Sequence, residues 1–449
     1  MKPAAGLLAG AFAAIYLPHV GHGFIKDDFA WLYHGRLDDV AALGDILLGS
    51  VGFYRPIVTL SFGLNEAVFG TWSYGYGLVN FALAAGCAAM LSALARALGL
   101  SAPASLLAAG VWAFNFHGIN MAVLWLSGRT SLLLTLFSVT TAWMILRRRP
   151  LSAFFFALLA LGSKEEAVVL PLIAAVLPPT PTDSGTSSRD RFTAALKAAS
   201  PCVVALIVYA ALRMQSGAFT PLDAPPFYRL DVGARVFFEN ILQYLDRSST
   251  WPIVVLLVLA AYLRRAPQLR ARGSRVLLVG VAWWIAGFAL TIWIPVRSSL
   301  YAVFPSLGVA LIVSALAESL LERAPSIRRR RAAIAGVLLP LLLLPVYWSR
   351  NGRWVELADI SAATFAAIRA DVSNFTPNTV IELRDDRSTR ASFQNTFGTL
   401  YPEAAHLYFD GRHQLWIEPP PPEHAGMKRP ELPTAAVYLL QGERVVRLQ

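Results

Sequence analysis

The chain has 449 residues, of which 56% are hydrophobic and only 15% are charged, and its mean hydropathy is +0.51. Soluble domains carry roughly 25% charged residues, so this composition excludes an ordinary soluble enzyme and predicts a membrane protein. The net charge of +11 would suggest a nucleic-acid partner in a soluble protein. Here the cations lie mainly in short loops between apolar runs, which is how membrane topology is encoded, so we expect no nucleic-acid partner.

Apolar runs of about the length that crosses a bilayer recur along the first three quarters of the chain. They predict a mainly α-helical, polytopic membrane bundle of about eleven spans. The fifth and sixth runs are short and contiguous, which predicts a broken or tilted pair. The predicted spans are 4–22, 76–97, 103–121, 130–146, 151–163, 166–179, 197–213, 250–263, 276–294, 299–320 and 332–348.

Two adjacent carboxylates, Asp27 and Asp28, follow the first apolar run directly and open a predicted external loop, 23–75. A carboxylate at the membrane boundary can be partly desolvated, which raises its pKa into a range useful for a general base. A solvated helix end is the alternative. Adjacent carboxylates can also bind Mg²⁺ or Mn²⁺, so a divalent metal at this pair is possible, and the sequence does not decide whether one is needed.

The segment "GSKEEAVVLPL" places Lys164, Glu165 and Glu166 inside an otherwise apolar stretch. Three charges in such a stretch are unfavourable in lipid, so we expect them to line a water-filled cavity or to pair with each other. An ordinary tight loop between two short helices is the alternative.

Single arginines stand near the ends of several predicted spans. A guanidinium holds phosphate through a fork of N–H donors, and a lipid-linked phosphate would arrive at this depth. Any one of these arginines could instead be a residue that snorkels to the interface. The candidates for phosphate or substrate binding are Arg55, Arg129, Arg213 and Arg297.

The distribution of cations predicts the orientation. Arginine clusters such as 147–149 and 328–331 lie on one side of the predicted bundle, whereas the other side carries scattered single cations. The positive-inside rule therefore places the N-terminus in the cytoplasm. The loop 23–75, the Lys164 turn and the tail then share the external face, which in a bacterium is the periplasmic side of the inner membrane.

The segment 349–449 is polar and Pro-rich, unlike the rest of the chain. Strand-like alternation in "NTVIEL", "HLYFDGRHQLWIE" and "AVYLLQGERVVRL" predicts a small external α/β domain. Asp410-Gly411 predicts a hairpin turn within the second of these segments. We therefore predict a transmembrane domain over 1–348 and an external C-terminal domain over 349–449.

These segments, in this order, resemble a known family. The acidic pair is followed by "FYRPIVTLSFGLNEAVFGTWSYGYGLVNFALAA", "WLSGRTSLLLTLFS", "GSKEEAVVLPL", "RSSLYAVFPSLGVAL" and "RNGRW". Together they are similar to the membrane region of the transmembrane and tetratricopeptide-repeat-containing O-mannosyltransferases and their bacterial relatives. Those proteins are C-type glycosyltransferases with the GT-C fold. The resemblance covers roughly residues 20–355, and no tetratricopeptide repeats follow.

The resemblance implies transfer of a sugar, a hexose such as mannose, from a polyprenyl-phosphate donor to an acceptor at the external face. It implies that Asp27 or Asp28 deprotonates the acceptor hydroxyl, and that Lys164 and Glu165 hold the donor phosphate or the acidic loop. Arg297, with Arg129 or Arg213, would neutralise the departing lipid phosphate. One base that serves an incoming acceptor predicts inversion at the sugar.

Several alternatives stay open at this stage. The acceptor could be a glycan, a lipid or a protein. The same charges could form the path of a transporter or flippase for lipid-linked anionic glycans, although such a path should place charges at the midplane and on both faces. A non-catalytic membrane scaffold that uses the tail is the third possibility.

Overall fold

The computed structural model describes residues 2–50, 52–177, 188–220, 224–264, 271–322, 324–385, 391–442 and 444–448. Helices dominate up to residue 371, and a small sheet follows. In the first part of the chain the helices are α1 (Lys2–Tyr16), α2 (Asp28–His34), α3 (Val40–Leu48), α4 (Pro56–Phe69), α5 (Ser73–Ala97), α6 (Ala102–Ala113), α7 (Ile119–Leu124), α8 (Arg129–Leu146), α9 (Pro150–Leu161) and α10 (Leu170–Val176).

The later helices are longer on average and include the ones that lead out of the bundle. They are α11 (Ser188–Gln215), α12 (Ala234–Leu263), α13 (Ala271–Gly287), α14 (Ser306–Glu322), α15 (Ser326–Leu342) and α16 (Leu344–Asp371). Helix α16 continues through the predicted boundary at 348 and carries the chain from the bundle into the tail.

Five helical segments in the described ranges are long and apolar enough to cross a membrane: 73–97, 126–146, 188–215, 234–263 and 273–293. The expectation of a helical membrane bundle is therefore confirmed, whereas the count of eleven spans is not. Other apolar helices are shorter, because turns interrupt the apolar runs. Span 103–121, for example, divides into α6 and α7 at the segment 114–118. In the predicted span 166–179, a 3-10 helix over Glu165–Val169 precedes the seven-residue α10, and the last two residues of the span lie outside the described ranges.

The tail contains a four-stranded sheet in the order β2-β1-β3-β4, with β1 parallel to both of its neighbours. Its strands are β1 (Thr379–Asp385), β2 (His413–Glu418), β3 (Thr434–Gln441) and β4 (Arg444–Arg447), and its helices are α17 (Phe393–Phe397) and α18 (Tyr401–Phe409).

The hairpin predicted at Asp410-Gly411 is wrong. The segment before it is helix α18, and Asp410 and Gly411 end that helix with φ angles of 49° and 71°. Because α18 returns the chain to the start of the sheet, β2 runs parallel to β1. The antiparallel pair in the tail is β3 with β4. The expected α/β character of the tail therefore holds, with a different connection between its first two strands.

The two largest apolar clusters of the described residues explain how the molecule is held together. One lies within the helical bundle and includes residues of α5, α6, α8 and α14. The other joins the loop 23–75 to the tail, since Phe24, Phe29 and Trp31 belong to the same cluster as Phe365 and Phe397. The tail therefore packs directly on the segment that carries the acidic pair.

Candidate active site

Asp28 begins helix α2 and is fixed by hydrogen bonds. Its Oδ2 accepts from the Ile25 N–H at 2.9 Å, and its Oδ1 accepts from the Ser127 N–H at 2.7 Å and the Ser127 hydroxyl at 2.5 Å. The residue is only 1% exposed. Burial raises the pKa of this carboxyl to about 7, against the opposing effect of the Ser127 and Ile25 hydrogen bonds. Asp28 therefore ties the acidic loop to the turn before α8.

Asp27 differs from its neighbour because its side chain is accessible. The surrounding protein nevertheless raises the pKa of its carboxyl above the usual range, against the opposing charges of Arg55 and Lys26. Tyr228 also interacts electrostatically with this carboxylate. Asp27 is thus the accessible member of the acidic pair.

The tail fixes the backbone immediately before the acidic pair. Lys26 has a left-handed conformation with φ of 48°, and its N–H donates to the Thr396 carbonyl at 2.9 Å. Phe29, one residue after the pair, lies with its ring centroid 5.7 Å from that of Phe397 and 6.0 Å from that of Phe365. The position of Asp27 therefore depends on contacts from both the bundle and the tail.

Arg55 and Glu165 form a bidentate ion pair close to Asp27. Arg55 donates to Glu165 Oε2 from Nη2 at 2.7 Å and from Nε at 3.0 Å. Arg213 Nη1 lies 3.7 Å from the other Glu165 oxygen. Burial alone would raise the pKa of the Glu165 carboxyl, but the charge and hydrogen bonds of Arg55 lower it below its usual range. The predicted residues Arg55, Glu165 and Arg213 thus come together.

Lys164 and Glu166 form a second, more buried pair. The Lys164 ammonium lies 2.8 Å from Glu166 Oε1, donates to the Ser131 hydroxyl at 3.0 Å, and sits 4.9 Å from the centroid of the Tyr301 ring. It also interacts electrostatically with Arg55. The "SKEE" turn therefore places its charges in pairs, as the cost of burying them predicts.

Arg297 lies at the margin of this group. It donates to Asn240 Oδ1 at 2.8 Å and pairs with Glu239, and both partners belong to α12. Tyr244 interacts electrostatically with both Arg297 and Glu166, so it links Arg297 to the buried pair. The structure thus brings Arg297 near this group without a direct contact to either ion pair among the described residues.

Arg129 is placed apart from these charges and is fully buried. Its guanidinium donates to Asn80 Oδ1 at 2.8 Å, the Ser61 carbonyl at 3.1 Å and the Tyr76 carbonyl at 3.2 Å. It also stacks over the Phe62 ring at 4.5 Å. With its donors engaged by protein oxygens, Arg129 ties α4, α5 and α8 together in this structure.

Three side chains in the group are absent from the predicted site: Tyr228, Tyr301 and Glu166. Tyr301 and Glu166 lie within quoted segments, "RSSLYAVFPSLGVAL" and "GSKEEAVVLPL", so their proximity to predicted residues was the available signal. Tyr228 comes from the segment 224–233 between α11 and α12, and nothing in its local sequence distinguishes it. Long-range packing brings Tyr228 near Asp27.

The acidic pair does not fit a divalent metal. Both Asp28 oxygens accept protein hydrogen bonds, which leaves Asp27 as a single free carboxylate. Among the described residues, no group of three or more His, Cys, Asp or Glu side chains could hold a metal ion. Mg²⁺ and Mn²⁺ sites use several oxygen ligands, so no step below depends on a metal.

Comparison with known proteins identifies the fold. No family model and no curated protein matches the sequence. The structure is similar to ArnT from Cupriavidus metallidurans bound to undecaprenyl phosphate, with a TM-score of 0.55 and 14% identity over 98% of this chain and 96% of that chain. It is also similar to apo ArnT from the same organism, with a TM-score of 0.53 and 14% identity over 96% and 92% of the two chains.

A third similar structure is the apo oligosaccharyltransferase of Archaeoglobus fulgidus, with a TM-score of 0.45 and 12% identity over 95% of this chain and 65% of that chain. The two ArnT structures show that this membrane protein has the GT-C fold. The expected GT-C fold is therefore confirmed, whereas the predicted number of spans is not, and the similarity extends over nearly the whole chain.

Proposed function

We propose that this protein is a glycosyltransferase that uses a polyprenyl-phosphate sugar as donor. The fold supports the class of reaction, and the similar ArnT structure holds undecaprenyl phosphate. The observation that carries the proposal is the accessible Asp27 carboxylate, which interacts with the Arg55 guanidinium. Arg55 in turn pairs with Glu165 and interacts electrostatically with Lys164. A base and a cationic group side by side are what displacement at an anomeric carbon needs.

Asp27 is the proposed base. As the acceptor hydroxyl oxygen forms its bond to the anomeric carbon, its proton passes to an Asp27 oxygen. The bond between the anomeric carbon and the phosphate oxygen breaks, and its electron pair leaves with the polyprenyl phosphate. The raised pKa of Asp27 favours acceptance of the proton, and its accessibility lets the acceptor approach. Asp28 contributes by fixing the loop.

Arg55 and Lys164 are the proposed ligands of the departing phosphate. Each is held by a carboxylate, Glu165 or Glu166, which keeps the cation in place before the donor arrives. Preorganised cations stabilise charge that develops on a leaving group without a further reorganisation step. Arg213 and Arg297 would add positive charge from the edges of the group, whereas the burial of Arg129 favours a structural role.

The proposal extends to the stereochemistry, the orientation in the membrane and the substrates. A single base that serves the acceptor should give inversion at the sugar. The distribution of arginines favours a cytoplasmic N-terminus, with Asp27 and the tail in the periplasm of a bacterial inner membrane. The sugar would be a hexose such as mannose, and the acceptor a glycan, a lipid or a protein.

The test is transfer from radiolabelled polyprenyl-phosphate hexoses in proteoliposomes that also contain total membrane extract as the acceptor source. Asp27→Asn should lower the transfer rate about 10²–10⁴-fold, the usual contribution of a general base. Asp38→Asn is the matched control, because Asp38 lies in the same loop and is exposed. Its rate should not change.

NMR of the product should show inverted anomeric configuration, and retention would contradict the single-base mechanism. An unchanged rate in folded Asp27→Asn protein would remove Asp27 from catalysis. Carrier-linked sugar that crosses the bilayer without transfer would instead support a flippase.

A further inference from the structure

A second group of cations lies on the bundle, outside the site described above. His117 in the segment 114–118, Arg247 on α12, and Arg350 and Arg353 on α16 form what we call the α16 cation cluster. The Nη2 atom of Arg350 lies 3.4 Å from His117 Nδ1. The central carbon of the Arg350 guanidinium lies 5.1 Å from the centroid of the Phe116 ring. Arg247 and Arg353 interact electrostatically with His117 and Arg350, respectively. Three chain segments thus converge on one positive group.

Buried neutral side chains hold this cluster in place. Asn115, which is 1% exposed, donates to the Arg247 carbonyl at 3.0 Å and accepts from the His117 N–H at 3.0 Å. On α16, Tyr347 donates to the Phe114 carbonyl at 2.5 Å, and Asn351 donates to the Ile15 carbonyl at 3.0 Å. Arg350 lies between these two anchors. The cations are therefore brought together by other contacts, against their mutual repulsion.

The positive charge of the cluster is poorly compensated by the protein. Among the described residues, Asp246 is the acid that interacts electrostatically with His117 and Arg350, and Arg247 and Arg353 add positive charge to the same two side chains. Burial, Arg350 and Arg247 together lower the pKa of His117, although Asp246 opposes them. Two buried donors, Arg247 Nη1 and Arg350 Nε, have no hydrogen-bond acceptor among the described residues. Such donors indicate that an anion completes the site.

The cluster adjoins exposed apolar surface. On α16, the exposed apolar residues Val346 and Trp348 come about a turn before Arg350. On α12, exposed apolar residues stand on both sides of Arg247, with Leu245 before it and Ile253 after it. Cations beside apolar surface in a membrane protein suit the depth of a lipid headgroup.

We propose that the α16 cation cluster binds a phosphate monoester, and that the phosphate belongs to the headgroup of a membrane lipid. Forked guanidinium donors suit phosphate oxygens, and the adjoining apolar surfaces of α12 and α16 suit acyl chains. The site is distinct from the Arg55 and Lys164 pairs, where every cation already has a carboxylate partner. It does not depend on the proposed glycosyl transfer.

The test measures binding of dioleoyl phosphatidic acid to the full chain in detergent, with dioleoyl phosphatidylcholine as the lipid that lacks a phosphate monoester. The double variant Arg247→Gln/Arg350→Gln should bind phosphatidic acid at least about tenfold more weakly, the effect of losing one charge-assisted hydrogen bond. The single variant Arg353→Gln changes an exposed side chain, so it should fold normally and weaken binding about threefold if Coulomb attraction contributes.

Two controls separate this site from general effects of charge. Arg148→Gln/Arg149→Gln removes two exposed cations from another part of the bundle and should leave binding unchanged. Arg55→Gln tests the donor site: loss of phosphatidic acid binding in this variant, with binding kept in Arg247→Gln/Arg350→Gln, would assign the lipid to the donor site and overturn the proposal. Equal binding by the parent and both cluster variants would overturn the proposal. Displacement of the lipid by micromolar inorganic phosphate would support a phosphate site but overturn its assignment to a lipid headgroup.

Discussion

Two neighbouring polar regions of this protein use the same residue types in opposite ways. In the region of Asp28 and Arg129, each charged side chain is buried and meets oxygen or N–H partners from the protein. In the region of Asp27 and Arg55, the carboxylate is accessible and the arginine is only partly buried. The first region joins the loop and three helices, whereas the second presents charge to an incoming molecule.

This difference shows why a charged residue in an apolar sequence is not by itself a functional residue. A buried guanidinium with carbonyl acceptors on all sides acts as a structural element, because leaving those acceptors unpaired would be unfavourable. A cation paired with one carboxylate can still turn toward a second anion. Substitutions in the first region should therefore change stability, whereas substitutions in the second should change substrate binding.

The largest effect on folding is expected at Arg129. Arg129→Met keeps an unbranched apolar stem but leaves Asn80 Oδ1 and the Ser61 and Tyr76 carbonyls without this donor. Each buried unpaired group costs about 1–3 kcal/mol, so the total should exceed about 3 kcal/mol and lower the melting temperature and the monodisperse yield. Arg148→Met, at an exposed position, should change neither. Normal melting with weaker donor binding would instead place Arg129 in the phosphate site.

Arg55 should show the opposite pattern. Arg55→Gln removes the proposed phosphate ligand, so the KM for the donor should rise about tenfold or more, as expected for one charge-assisted hydrogen bond. The melting temperature should change less than in Arg129→Met. Because Glu165 would be left without its main partner, Arg55→Gln/Glu165→Gln is the matched control and should recover stability but not the KM. Recovery of KM in the double variant would show that the pair is structural.

The last prediction concerns the protonation of Asp28. Its pKa is raised from the ordinary 3.8 to about 7 in the folded protein, so the folded state binds the proton more tightly than the unfolded state. The resulting stabilisation is fully present below pH 3.8 and is lost as the pH rises through about 7. The melting temperature of the parent should therefore fall relative to that of Asp28→Asn as the pH rises from about 4 to about 7. A parent that gains stability over this range would contradict the assignment.

Much of the fold could be predicted because hydropathy is a property of local sequence. The apolar runs, the polar tail and the order of the quoted segments led to a GT-C membrane protein, which the structure confirms. The number of spans could not be counted in the same way. Turns such as 114–118 divide apolar runs without making them polar, and helix α16 carries apolar residues past the end of the bundle.

The grouping of the site was also partly predictable. Three charges at 164–166 in an apolar run had to pair or meet water, and they do pair, with Arg55 completing one pair. The partner itself could not be read from sequence, because Arg55 and Glu165 are 110 residues apart. Tyr228 was missed for the same reason. The parallel arrangement of β1 and β2 was missed because α18 and a strand have similar short apolar patterns.

The sequence by itself determined that this is a membrane protein, that an acidic pair follows the first helix, and that single cations occupy the ends of later helices. Composition and hydropathy are sufficient for these statements because they depend on the side chains alone. Only the tertiary structure decided that Asp28 is locked while Asp27 is accessible, that Arg129 is buried, and that His117 lies near both Arg350 and Arg247. Those distinctions depend on which distant groups supply hydrogen-bond partners and exclude water, and packing alone sets both.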